Sequence, residues 1–169
     1  MQAVYPPGGI TQDDSQSQSK SGVLDILYFA PAGLLPAGHT LVLNKALGTL
    51  SYLTKGADRP RLVMQQQFTS SELSLLLPLL ELFPDYCPYE VMFASFYNGT
   101  ITDETVELCR QRLYEALEKG TWDQQLRPLR NVLSRTRMKL RPFGIDISSI
   151  LETGYMLMIT SRPDSREIA

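Results

Sequence analysis

The chain has 169 residues and a formal net charge of −2. That length suits one ordinary domain with tails, and the near-balanced charge gives no global signal for nucleic acid. No apolar run approaches the ~18 residues of a membrane span, and the N-terminus lacks a charged segment followed by an apolar one. Neither a membrane protein nor a secretory leader is expected, and the chain reads as cytoplasmic. Cys87 and Cys109 are too far apart in sequence to form a ligand pair, and His39 is the lone histidine. The cysteines read as reduced, small hydrophobes, and no metal or cofactor is expected. His39 and Ser134 lack companions for nucleophilic catalysis, and no phosphate-cradling glycine loop or dinucleotide fingerprint occurs. The chain reads as a non-enzyme.

Residues 1–22 hold Pro, Gly, Ser, Gln and Asp with little to bury, and read as a disordered tail. Val23 to Phe29 is β-branched and aromatic enough for a strand. A Pro/Gly-rich connection from Ala30 to Gly38 leads to strand-like runs at Thr40 to Asn44 and Thr49 to Leu53, and Leu62 to Gln66 adds another. The expectation is an antiparallel sheet over 23–67. Thr69-Ser70-Ser71-Glu72 is a capping box, with Thr69 as N-cap and Glu72 at N3. The helix it opens stops before Pro84, and Pro78 inside it should kink it or shift its register. A second helix is expected over Pro88 to Tyr97, ended by Asn98-Gly99. A third, Asp103 to Lys119, is capped by Thr102 and carries the stripe Val106, Cys109, Leu113, Ala116 and Leu117. A fourth runs from about Arg127 to Leu140, with Pro128 at its opening. The helical core thus spans 69–141. Ile145 to Ser149 and Tyr155 to Thr160 form a closing hairpin over 145–160, and 161–169 is a polar tail. The expected core is Leu73, Leu76, Leu80, Phe93, Leu129, Val132, Leu133, Leu140 and Tyr155.

The charge is not spread evenly. Between Leu126 and Arg141 there are six Lys/Arg and no acid. On a 3.6-residue period Leu129, Val132, Leu133, Thr136 and Leu140 share one face and should be buried. Arg127, Asn131, Ser134, Arg135 and Met138 share another. Arg can bond guanine in bidentate fashion, Asn can pair with adenine, and Met can touch a thymine methyl, so this face suits base reading in a major groove. Arg130, Arg137, Lys139 and Arg141 flank it and suit phosphates. The plainer reading is a solvated face whose arginines pair with the acidic helix nearby. Glu104, Glu107, Glu115 and Glu118 lie on the outer side of that helix, as a solvent face or as a partner surface. Tyr86, Tyr89, Phe93, Phe96 and Tyr97 stand at helical spacing and read as core.

Three blocks carry a family resemblance. FTSSELSLLLPLLELFPDYCPYEVMFASFY places a Thr-x-x-Glu cap, a Leu-rich helix, a turn and a second helix in order. LRNVLSRTRMKLRPFGI holds the Arg-x-Arg-x-Lys-Leu run, Arg135 to Leu140. ISSILETGYML is a strand followed by Gly-Tyr. From about Thr40 to Ile159 the chain resembles the winged-helix effector domain of OmpR/PhoB-type response regulators and related bacterial activators. The resemblance implies an α+β winged helix-turn-helix: an N-terminal antiparallel sheet, a three-helix core plus one inserted helix, and a C-terminal hairpin as wing, all within 23–160. It implies a bacterial, sequence-specific transcription regulator that binds double-stranded DNA through helix 127–141. RNA polymerase or another protein, and a second copy in a homodimer, are its further candidate partners.

Four features depart from the family's pattern. Asn98 to Gln125 is longer than the family's loop and holds the whole helix 103–119. Leu151 and Met156 stand where the wing often has arginines, and Glu152 adds negative charge. Pro78 interrupts the first helix. The receiver domain that precedes the family's effector has no counterpart in this sequence, so the resemblance does not carry phosphorylation control over to it. These departures keep open a second reading: a winged-helix protein–protein interaction module without DNA binding, using the acidic helix 103–119.

Overall fold

A computed structural model of the chain describes residues 25–160. The expectations of a disordered tail at 1–22 and a polar tail at 161–169 lie outside these residues. The fold is α+β, with a four-stranded antiparallel sheet, four α-helices and a three-stranded antiparallel sheet.

The first sheet is a meander of β1 (Ile26–Phe29), β2 (His39–Asn44), β3 (Thr49–Thr54) and β4 (Arg61–Gln67). Its alternation decides which side faces the core. Leu41, Leu43 and Leu50 are fully buried, while Tyr28 and Leu62 stand outside. The β2–β3 turn needs a glycine. Gly48 has φ +71°, and a Cβ there would come within 2.6 Å of the Phe68 carbonyl oxygen. In return the Phe68 N–H donates to the Gly48 carbonyl at 2.7 Å, which ties this turn to the end of β4.

The first helix, α1 (Ser70–Leu82), opens on the expected capping box. The Glu72 N–H donates to Thr69 Oγ1 at 3.3 Å, and the Thr69 N–H donates to Glu72 Oε2 at 3.0 Å. Pro78 does not end it. Proline has no N–H to offer the Ser74 carbonyl, and the Ser95 hydroxyl donates there in its place. Leu75, Leu76, Leu79 and Leu80 are buried, whereas Leu73, expected in the core, is only partly so.

The second helix begins later than its sequence suggests. Cys87–Pro88 is a short strand, β5, and α2 spans Tyr89–Phe93 before widening into a π-helical turn, Ala94–Asn98. Pro88 supplies the extended residue before the helix and is not part of its first turn. Tyr89 and Phe93 are core, Phe96 packs against it partly buried, and Tyr86 and Tyr97 are exposed, against the expectation that all five aromatics turn inward.

The third helix, α3 (Asp103–Lys119), keeps its expected bounds, from a Thr102 cap to a left-handed Gly120. Cys109, Leu113 and Ala116 are buried and Val106 partly so, but Leu117 is 54% exposed. The stripe drifts around the helix, and Leu117 falls past its edge.

The fourth helix, α4 (Trp122–Leu140), starts five residues before Arg127. Pro128 therefore sits inside the helix and does not open it. Leu126 is fully buried and Trp122 packs against the core, so burial extends the helix ahead of the proline. The carbonyl that Pro128 leaves without an N–H belongs to Gln124, an exposed residue that water can satisfy.

A 3-10 turn, Arg141–Phe143, leads into the hairpin β6 (Ile145–Ile150) and β7 (Gly154–Ile159). The second sheet has the order β5-β7-β6. Gly154 is fixed by this crossing. A Cβ there would lie 2.0 Å from the Cys87 carbonyl oxygen. One core joins both sheets and all four helices. Leu76, Leu80, Phe93, Leu129, Val132, Leu133, Leu140 and Tyr155 lie in it as expected.

Candidate nucleic-acid interface

α4 packs against α1, α3 and β6, and its two faces separate cleanly. Leu129, Val132, Leu133, Thr136 and Leu140 are all buried. Thr136 is accommodated there because its hydroxyl donates to the Val132 carbonyl at 2.8 Å. Arg127, Asn131, Ser134, Arg135 and Met138 are all exposed. They follow one another along a single stripe, about 16 Å long at ~1.5 Å rise per residue.

The flanking cations differ from one another. Arg141 is exposed and, like Arg127, forms no ion pair among the described residues. Arg130 pairs with Asp123 at 3.1 Å, in the first turn of the same helix. Arg137 forms a bidentate pair with Asp146 of β6, at 3.0 and 3.4 Å. The hydrogen bond from Arg137 holds the Asp146 carboxyl below the ordinary aspartate value, against the opposing pull of burial. Lys139 is held by three groups. Its ammonium donates to Glu72 Oε2 at 2.7 Å and to the Gln67 carbonyl at 3.0 Å, and it lies 5.5 Å from the Phe68 ring centre. Glu72 is 1% exposed, so Lys139 is chiefly the counter-ion of a buried carboxylate. Arg135 reaches the same carboxylate only at 3.7 Å and stays largely in solvent.

These ion pairs run to α1, to β6 and within α4. Among the described residues none joins α4 to an acid of α3, so the neutralisation by a neighbouring acidic helix that the plainer reading requires does not occur. On α3 itself, Glu104, Glu107, Glu115 and Glu118 are exposed. Glu107 pairs with Arg110, which also reaches Glu90 of α2 at 3.5 Å.

A groove between α4 and the hairpin is lined by Arg130, Ser134, Arg137, Ser149 and Tyr155. Tyr155 anchors it from below. Its ring meets Tyr89 edge-on at 5.5 Å, and Tyr89 meets Trp122 the same way at 5.5 Å. This aromatic row ties the start of α4, the start of α2 and β7 together. The hairpin turn is Leu151-Glu152-Thr153, with Leu151 exposed and Glu152 at φ 53°. Residues 145–160 contain no Lys or Arg.

The sequence brought α4's stripe into view but missed Asp123, Asp146 and Glu72, the acids that occupy three of its flanking cations. Only the capping box marked Glu72, and nothing local marked its tie to Lys139. Both cysteines are buried and free. Burial pushes the Cys87 thiol up to about 12, with the Glu90 charge adding to it. Among the described residues no group of His, Cys, Asp and Glu is arranged to hold a metal ion, and no helix is long and apolar enough to cross a membrane. Comparison with protein-family models, with curated proteins and with solved structures finds no match for this chain.

Proposed function

We propose that this chain is a sequence-specific, DNA-binding transcription regulator of bacterial type, and not an enzyme. In this reading the fold is a winged helix, α4 is its recognition helix and β6–β7 is its wing. The observation that carries it is the division of α4. One face is wholly buried, and the other presents Arg127, Asn131, Ser134, Arg135 and Met138 in an unbroken exposed row. A major groove about 12 Å wide admits one helix, and these side chains are of the types that read base edges there. Arg141 and Arg130 suit the phosphates on either side, Arg130 by giving up Asp123. Arg137 and Lys139 serve the fold first. The test is a comparison on a duplex selected from a mixed pool. Arg135→Ala or Asn131→Ala should weaken the selected duplex by about 1–3 kcal/mol and random duplex much less. Equal losses on both would remove the base-reading role.

A second reading, a protein-interaction module, is favoured by the hairpin. Without a cation, and with an exposed Leu151 and an acid at its tip, it offers little to a phosphate backbone. The outward acids of α3 would then face a protein partner. In the DNA-binding reading the same surface is the one to meet RNA polymerase or another protein, and a second copy of the chain would allow a paired half-site.

A further inference from the structure

A broad cleft lies where the first sheet meets the Arg141–Phe143 turn, just past the end of α4. Its volume is about 550 Å³, inside the roughly 300–1,000 Å³ range of small-molecule sites. The walls are flat and apolar: Tyr52 and Met64 on the sheet, with Val63, and Pro142 and Phe143 on the turn. The Tyr52 and Phe143 rings stand 6.3 Å apart, tilted by 50°. The Tyr52 ring is held in place by His39, whose Nδ1 shares a 2.6 Å hydrogen bond with its hydroxyl and whose ring meets it edge-on. Val63 is half exposed although strongly apolar, and it sits at the cleft's edge on the outer strand of the sheet.

The polar lining is one-sided. His39, Thr54, Arg141 and Thr160 contribute to it, and among the described residues no acid does. Arg141 has no ion pair among the described residues. Asp146 is near enough to feel its charge, but that carboxylate is already bonded to Arg137 and to the Ile147 N–H. A guanidinium with no ion pair among the described residues, in the same lining as apolar and aromatic walls, suits a carboxylate on a flat apolar body. A bare phosphate would leave the apolar walls unused. A nucleotide carries more charge than one arginine answers.

We propose that this cleft binds a small aromatic or similarly flat organic monocarboxylate. Its apolar body lies against Tyr52, Met64 and Phe143, and its carboxylate meets Arg141. The site does not depend on the DNA-binding reading, and its test uses no DNA.

The test is an NMR titration of the full chain with 1-naphthoate and, in parallel, with its neutral counterpart 1-naphthalenemethanol. The expected result is saturable shifts at Tyr52, Val63, Met64 and Phe143, with the acid bound at least about tenfold more tightly than the alcohol. Arg141→Gln should erase that preference and leave the fold unchanged by circular dichroism, since Arg141 is exposed and unpaired. Equal affinity for acid and alcohol overturns the proposal. So does the absence of saturable shifts at these residues, or acid binding confined to Arg127 and Arg135. A chain lacking residues 161–169 that binds naphthoate more than about tenfold better than the full chain would make the cleft a seat for that segment, and would overturn the ligand assignment too.

Discussion

Glu72 performs two tasks with one carboxylate. Oε2 accepts the Thr69 N–H to close the capping box, and it also accepts the Lys139 ammonium from the far end of α4. The first task was legible in four consecutive residues, because a capping box is set by local geometry. The second was not, because it joins residues 67 apart in sequence that only the packing of α1 on α4 brings together. For the same reason Lys139 reads as a phosphate contact in sequence and as a counter-ion in the fold. Glu72→Ala removes the return half of the capping box, the bond from the Thr69 N–H, and leaves Lys139 without its carboxylate. It should cost roughly 2–4 kcal/mol in urea unfolding, somewhat below a fully buried pair because Lys139 is partly exposed. A loss under about 0.5 kcal/mol would mean that Lys139 does not depend on Glu72. Asp146 gives a pH signature. Its folded value is depressed, so its contribution is present above the ordinary aspartate range near pH 4 and is lost as pH falls through the lower folded value. The stability advantage of the natural protein over Asp146→Asn should therefore hold at neutral pH and shrink below about pH 4. An advantage that grew on acidification would contradict the Arg137 pairing.

At the scale of elements, long periodic segments were readable and interruptions were not. α3 kept both its bounds, since Thr102 and Gly120 signal its ends and its apolar spacing is regular. α4 was read from its proline onward, yet it runs from Trp122 because Leu126 and Trp122 have apolar surface to bury and Gln124 can leave its carbonyl to water. Pro78 shows the same rule from the other side, with Ser95 standing in for the missing donor. β5 was invisible in sequence because two residues carry no pattern, and its only signature is Gly154 on the strand it pairs with. Gly154→Ala would push a methyl into the Cys87 carbonyl. It should cost about 1–3 kcal/mol and lower the melting temperature. An unchanged melting curve would mean that β5 does not cross β7 there. For α3, reversing Glu107 and Glu115 to Lys should leave DNA affinity equal or better while abolishing capture of any protein partner that uses this surface. Loss of DNA binding with a partner still captured would contradict that division of labour.

Across the whole molecule the fold gives α4 its directional surface. α1, α3 and the hairpin bury one side of it, and Lys139 and Arg137 fix its C-terminal end, which leaves a row of groove-compatible side chains on the other. The order of sheet, helices and hairpin was legible from strand alternation, helix caps and turn residues. The distribution of charge was legible only along α4 and not across it, since the acids that answer four of its cations come from β6, from α1 and from its own first turn. The central claim is that this surface meets duplex DNA. It is tested most directly by titrating the full chain with mixed-sequence duplex at several salt concentrations. Binding should weaken linearly on a log–log plot as salt rises, with Arg141→Ala reducing the slope by about one unit. Salt-independent binding, or no binding to any duplex at low salt, would contradict it and leave the protein-interaction reading in its place.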